Sequence, residues 1–128
     1  MMVAKLKLLA GLAALALIVA APEIASAQTL TAPLVGTDEE PGASGFARFR
    51  NRAGNLNLEI QVQDVFSTDT AWVFVNDDFV AEMALAGSRG RVELETQRGD
   101  FVPAIQPGDI VAIIDANDAS RLLLFGQF

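Results

Sequence analysis

Residues 44–63 read Ser-Gly-Phe-Ala-Arg-Phe-Arg-Asn-Arg-Ala-Gly-Asn-Leu-Asn-Leu-Glu-Ile-Gln-Val-Gln, and this stretch decides the fold class. Leu56, Leu58, Ile60 and Val62 alternate with Asn57, Glu59, Gln61 and Gln63, the period of a strand with one dry face. A turn at Ala53-Gly54 puts Phe49 opposite Leu58, Ala47 opposite Ile60 and Gly45 opposite Val62. The other face then pairs Arg50 with Asn57 and Arg48 with Glu59. One register sorts apolar from polar on both arms, and a slip of one residue would scramble it.

The pattern extends in both directions. Downstream, Asn76-Asp77 suits the left-handed backbone of a two-residue hairpin turn. The expected register sets Phe74 against Phe79 and Trp72 against Ala81, with Met83 and Leu85 continuing that face. Across 87–90, Leu85 is expected to meet Val92 and Met83 to meet Leu94, making Trp72, Phe74, Phe79 and Leu94 core residues. Pro107-Gly108-Asp109 is a turn into a strand at 110–114, 115–120 is another turn, and 121–127 is a final strand. Upstream, 28–34 forms an edge strand and 36–42 an acidic loop. The sum is an all-β chain: a small antiparallel β-sandwich, or a small closed barrel, of seven to eight short strands.

The first residues belong to another pattern. Lys5 and Lys7 precede an apolar run at 8–20, Pro22 follows, and Ala25-Ser26-Ala27 stands before Gln28. A positive head, a short apolar middle and a small-residue exit describe a secretory signal. The run is short of the roughly 20 residues a spanning helix needs. The expected organisation is a signal peptide at 1–27 cleaved after Ala27, an N-terminal segment and acidic loop at 28–43, and a β-sandwich domain at 44–128. The expected location is periplasmic or secreted, with the mature chain not spanning a membrane.

Composition narrows the chemistry. The 128 residues include no Cys, no His and no Tyr, and the formal charge is −7. Residues 28–128 hold 7 Arg and no Lys against 15 acids, a net of −8. Without Cys there is no disulfide framework and no thiol nucleophile. Without His there is no Ser-His-Asp triad and no ordinary transition-metal site. Nucleic acid is not expected as a partner of so acidic a chain. Ser44, Ser67, Ser88 and Ser120 have no His or Lys in 28–128 to activate them. No cofactor, metal or catalytic residue is assigned, and the chain reads as a non-enzymatic binding or structural protein.

Arg48, Arg50 and Arg52 alternate along one strand and are the candidate ligand-binding residues. A basic stripe on an acidic protein suits a carboxylate, sulfate or phosphate, so the expected partner is an anionic ligand or an envelope protein. The competing account of Arg48 is a cross-strand pair with Glu59. Glu82 comes out opposite Glu95, and Asp115, Asn117 and Asp118 share a turn. Neither cluster has the spacing of a calcium loop, and solvated carboxylates account for both. Arg98-Gly99-Asp100 spells an adhesive tripeptide but reads as a turn. Two other function classes compete. One is a carboxylate-only hydrolase, which needs two acids converging in a cleft. The other is a small outer-membrane β-barrel, suggested by the aromatic ending 122–128 and opposed by short strands and missing aromatic girdles.

Leu34-x-Gly36, Glu40-Pro41, Gly45-x-Ala47-x-Phe49 and Leu58-x-Ile60-x-Val62 together resemble the opening of a chordin-type (CHRD) domain. The resemblance covers about the first third of the segment after residue 27. It implies an exported antiparallel β-fold. Members of that family usually carry histidines in their middle portion and this chain has none, so no functional residue is carried over.

Overall fold

A computed structural model describes residues 27–128; the signal-peptide reading of 1–27 falls almost wholly outside them. Eight antiparallel strands close a small barrel: β1 (Ala27–Gly36), β2 (Ser44–Arg52), β3 (Asn55–Gln63), β4 (Thr70–Val75), β5 (Asp78–Ala86), β6 (Arg89–Glu95), β7 (Ile110–Asp115) and β8 (Leu122–Gln127). Around the barrel the order is β1-β2-β3-β6-β5-β4-β7-β8. The consecutive hairpins β4-β5-β6 are flanked by β3 and β7, which reach them through the connections 64–69 and 96–109. This is Greek-key connectivity, not a simple up-and-down meander.

Closure is uneven. β1, β2, β3 and β6 pair over most of their lengths, and so do β5, β4, β7 and β8. The two groups meet at seams of two residue pairs each: Leu85↔Gly90 and Ala86↔Arg89 between β5 and β6, and Val35↔Phe125 and Gly36↔Leu124 between β1 and β8. The barrel is therefore built as two four-stranded walls that nearly separate into a sandwich. β1 is no edge strand: it pairs with β2 along nine residues and with β8 at its end. The barrel thus begins ahead of residue 44.

The β2–β3 hairpin adopts the expected register, including Phe49↔Leu58, Ala47↔Ile60 and Arg48↔Glu59. Ala47, Phe49, Leu58, Ile60 and Val62 are buried. Asn76 and Asp77 both take positive φ, 48° and 70°, as a type I′ turn requires. Beyond Phe74↔Phe79, however, the ladder resumes at Val73↔Ala81, leaving Val80 as an extra residue on β5. That bulge reverses the expected face of β4. Ala71, Val73 and Val75 join Met83 and Leu85 inside, while Trp72 and Phe74 are half-buried on the outer wall and Phe79 is 55% exposed. The three rings pack edge-to-face, with Phe79 6.2 Å from Trp72 and 5.7 Å from Phe74. Leu94 packs at the margin of the core. The β5–β6 register also differs from expectation. Leu85 faces Gly90 across a two-residue turn and pairing then stops, so Glu82 and Glu95 are not paired.

The interior is filled by Val, Ile, Leu, Met83 and Phe49. Phe49→Ala is expected to cost about 3–5 kcal/mol, as for a large ring removed from a packed core. Phe79→Ala is expected to cost about 1 kcal/mol or less, because an exposed ring loses chiefly its aromatic contacts. Urea unfolding of the two variants checks the assignment of faces.

Candidate functional site

The three candidate arginines lie on the outer face of β2, where the alternation of the strand puts them, but they do not act together. Arg48 is committed. Its guanidinium forms an ion pair with Glu59 on β3 and lies 5.5 Å from the centre of the Phe46 ring. Glu59 takes a second ion pair from Arg91 on β6, at 3.0 Å, and a hydrogen bond from the Gln61 amide at 2.8 Å. A carboxylate at an outward strand position is thereby covered by the side chains of three neighbours and buried. The Gln61 amide first, then the Arg48 and Arg91 guanidiniums, outweigh burial and hold the Glu59 carboxyl down at about 2. Glu93 stands at the edge of this network, 3.4 Å from Arg91.

Arg50 and Arg52 have no ion-pair partner among the described residues. They line a recess of about 260 Å³ with Asn55, Asn57, Glu95 and Gln97. The recess exists because the 3-10 turn Thr96–Arg98 folds back beside β3. Thr96 anchors that turn by accepting a hydrogen bond from the Leu56 amide at 2.9 Å. The recess's one carboxylate, Glu95, is engaged by Arg98 at 2.9 Å. Two guanidiniums and three side-chain amides therefore surround a space whose single acid already has a cation.

A second polar cluster joins three loops at the opposite end of the barrel, and composition gave no sign of it. Glu40, in the β1–β2 loop, accepts hydrogen bonds from the amides of Phe66 and Ser67 in the β3–β4 loop, at 3.0 and 2.7 Å. Burial pushes its carboxyl up, but the Ser67 and Phe66 donors and nearby Arg121 overcome that and hold it below the usual range. Asp115, at the end of β7, is buried and accepts from Arg121 at 2.6 Å and from the Asn117 amide at 2.9 Å. Here too burial is outweighed, by the Asn117, Thr68 and Arg121 donors, and the carboxyl is lowered. Arg121 also reaches Glu39 at 3.0 Å and the Ser67 hydroxyl at 2.8 Å. The reading of the 115–118 turn acids as solvated is thus corrected for Asp115; Glu40 and Glu59 are likewise buried and partnered, and Glu59 makes the cross-strand pair with Arg48 that its register implies.

Arg98-Gly99-Asp100 closes on itself. Arg98 binds Asp100 at 3.2 Å and the Glu93 carbonyl, and Gly99 takes φ 88°. Among the described residues no group of three His, Cys, Asp or Glu side chains converges as a metal would require. The chain matches no family model, no curated protein and no solved structure.

Glu59→Gln should be costly even though the position faces outward. Its carboxyl is lower in the folded protein than the ordinary 4.5, so the stabilisation is fully present above about pH 4.5 and is lost as the pH falls towards 2. The variant is expected to lose about 2–3 kcal/mol at pH 7 and to show a flatter decline of stability between those limits. Urea midpoints measured across that range check this.

Proposed function

We propose that the chain is an exported, non-enzymatic binding protein that takes an anionic group in the Arg50–Arg52 recess. The observation that carries the reading is charge pairing. On a domain with more than two acids per arginine, Arg48, Arg91, Arg98 and Arg121 are each tied to carboxylates. Two of the arginines left over line one cavity furnished with amide donors. Guanidinium pairs of this kind recognise carboxylate, sulfate or phosphate by charge-assisted hydrogen bonds.

The alternative chemistries fit the molecule less well. A carboxylate hydrolase needs one acid held protonated near neutral pH, whereas the buried acids Glu40, Glu59 and Asp115 are all pushed the other way. A barrel spanning the outer membrane needs an apolar band on every strand. Here the outer wall of β2, β3 and β6 carries Arg48, Arg50, Glu59, Arg91 and Glu93, and each arginine at the midplane would cost about 2–4 kcal/mol. No helix of the described residues is long and apolar enough to cross a membrane. Export rests on the head, apolar run and exit of residues 1–27. Packing in this chain itself calls for glycine at two positions of the chordin-like stretch, Gly36 and Gly45. A Cβ at either would collide with a neighbouring backbone carbonyl, of Glu40 and Gln61 respectively.

Calorimetric titration at low ionic strength with inorganic sulfate, inorganic phosphate, a dicarboxylate and a sulfated oligosaccharide tests the recess. At least one should bind, and Arg50→Gln with Arg52→Gln should weaken it by about tenfold or more, as expected for loss of charge-assisted contacts, without changing the fold. Arg48→Gln should instead lower stability by freeing the buried Glu59, so replacing the whole stripe is not neutral to the fold. Equal affinity in the wild type and the Arg50/Arg52 variant would remove the recess as the site.

A further inference from the structure

The second wall of the barrel is apolar on its outside. Across its four strands and over the seam onto β1, one lateral row reads Phe79, Phe74, Ala112, Phe125 and Val35, each paired to the next in the ladder. A parallel row holds Trp72, Ile114 and Leu122. Phe79, Phe125, Leu122 and Val35 are exposed, as is Ile110 on the same face of β7. Both irregularities of the sheet feed this surface. The bulge at Val80 turns the β4 aromatics outwards, and the shift at Ile113/Ile114 tucks Leu123 inside while Leu122 and Phe125 stay out.

We propose that this wall is the interface of a symmetric dimer of the chain. Two features select a second copy, and a third excludes anionic lipid and sets the salt dependence. The first is area. The exposed portions of these side chains amount to on the order of 500 Å² of apolar surface, given 150–250 Å² for a whole aromatic side chain. A stable interface of standard size hides about 800 Å² per partner, and homodimer interfaces are about two-thirds apolar. The second is shape. The row has small Ala112 between the rings of Phe74 and Phe125. A two-fold axis running along the strands between β7 and β8 places Phe125 of each copy in the dip over Ala112 of the other. The same operation sets Phe74 against Val35, so one operator satisfies both halves of the surface, as an isologous contact requires. Two sheets stacked this way reproduce the face-to-face packing of a sandwich.

The third feature is charge. Asp78 and Glu82 border the wall on β5 and Asp109 precedes β7, while none of the seven arginines lies among the outward residues of β4, β5, β7 or β8. The basic residue next to this rim, Arg121 ahead of β8, is held by Glu39 and Asp115, and a rim so acidic opposes adsorption to anionic lipid, which recruits Lys and Arg. It also gives the dimer a signature: like-charged rims repel, so association tightens as added salt screens them.

Sedimentation equilibrium of the purified protein over a wide concentration range, at low and high salt, tests the proposal. The expected result is a monomer–dimer equilibrium that shifts towards dimer with salt. It should be abolished by Phe125→Arg and by Ala112→Phe, which fills the dip, while circular dichroism shows both variants folded. Leu122→Asn serves as a milder second variant should either substitution unfold the chain, and it should weaken association by about tenfold, as expected when both copies lose the buried apolar area of a leucine. A protein monomeric at every concentration overturns the proposal. So does a dimer indifferent to these substitutions, or a monomer that uses the same wall to bind neutral phosphatidylcholine vesicles. The recess lies on the opposite wall, so its titrations and this equilibrium fail or succeed separately.

Discussion

An eight-stranded barrel has an interior just wide enough for side chains to fill, and that limited bore governs where each large residue can go. Phe49 is the one aromatic among the fully buried side chains; around it sit Val, Ile, Leu and Met83. Gly45 and Gly126 face backbone at distances that leave no space for a Cβ, and a Cβ at Gly90 would press into Leu85 and Met83. With the bore so occupied, Trp72, Phe74 and Phe79 have no interior position to take. The extra residue Val80 resolves the conflict by letting Val73 and Val75 face inwards while the rings turn out. A bulge of this kind re-aims a strand at the cost of one unpaired residue.

The same constraint divides the surface. Because the walls join through only two residue pairs at each seam, each wall has its own outer face and its own chemistry. The wall of β1, β2, β3 and β6 carries the arginine–glutamate network on its outside. The wall of β5, β4, β7 and β8 carries the aromatics displaced from the bore. A single domain thus has two unlike outer faces, one polar and one apolar, and the Greek-key order keeps them on opposite sides.

The β2–β3 hairpin could be read from its residues because polar and apolar positions alternate along β3 from Leu56 to Gln63, the register matches them on β2 with Phe46 and Asn51 as the exceptions, and Ala53-Gly54 pins the turn. β4 could not. Ala71 to Val75 is apolar at every position, so alternation does not choose a face, and the choice falls to a bulge that no residue type announces. The pairing of β3 with β6 joins residues some 30 positions apart and is set by barrel closure, which local pattern does not contain. At the site, the arginine stripe was visible as residue types, and the claim of Glu59 on Arg48 followed from register. The share taken by Arg91 needed the β3–β6 pairing. The burial of Glu40 and Asp115 needed three loops to fold over one end of the barrel, a tertiary event that makes an acid in a turn look solvated until its donors arrive.

The treatment of acids connects stability with recognition. A chain without cysteine and rich in carboxylates must keep its structure by burial and pairing, and each acid it buries needs donors if it is to stay ionised. Glu59 uses two guanidiniums and an amide, Asp115 uses one guanidinium and a backbone amide, and Glu40 draws on two backbone amides. Backbone donors are available wherever a loop turns, but guanidiniums are scarce, seven against fifteen acids. Arg50 and Arg52 are left without a carboxylate although Glu95, two strands away on β6, lines the same recess. In so acidic a molecule, two adjacent unpaired cations beside a cavity are more simply understood as held for an anion from outside than as a fold-stabilising device left incomplete.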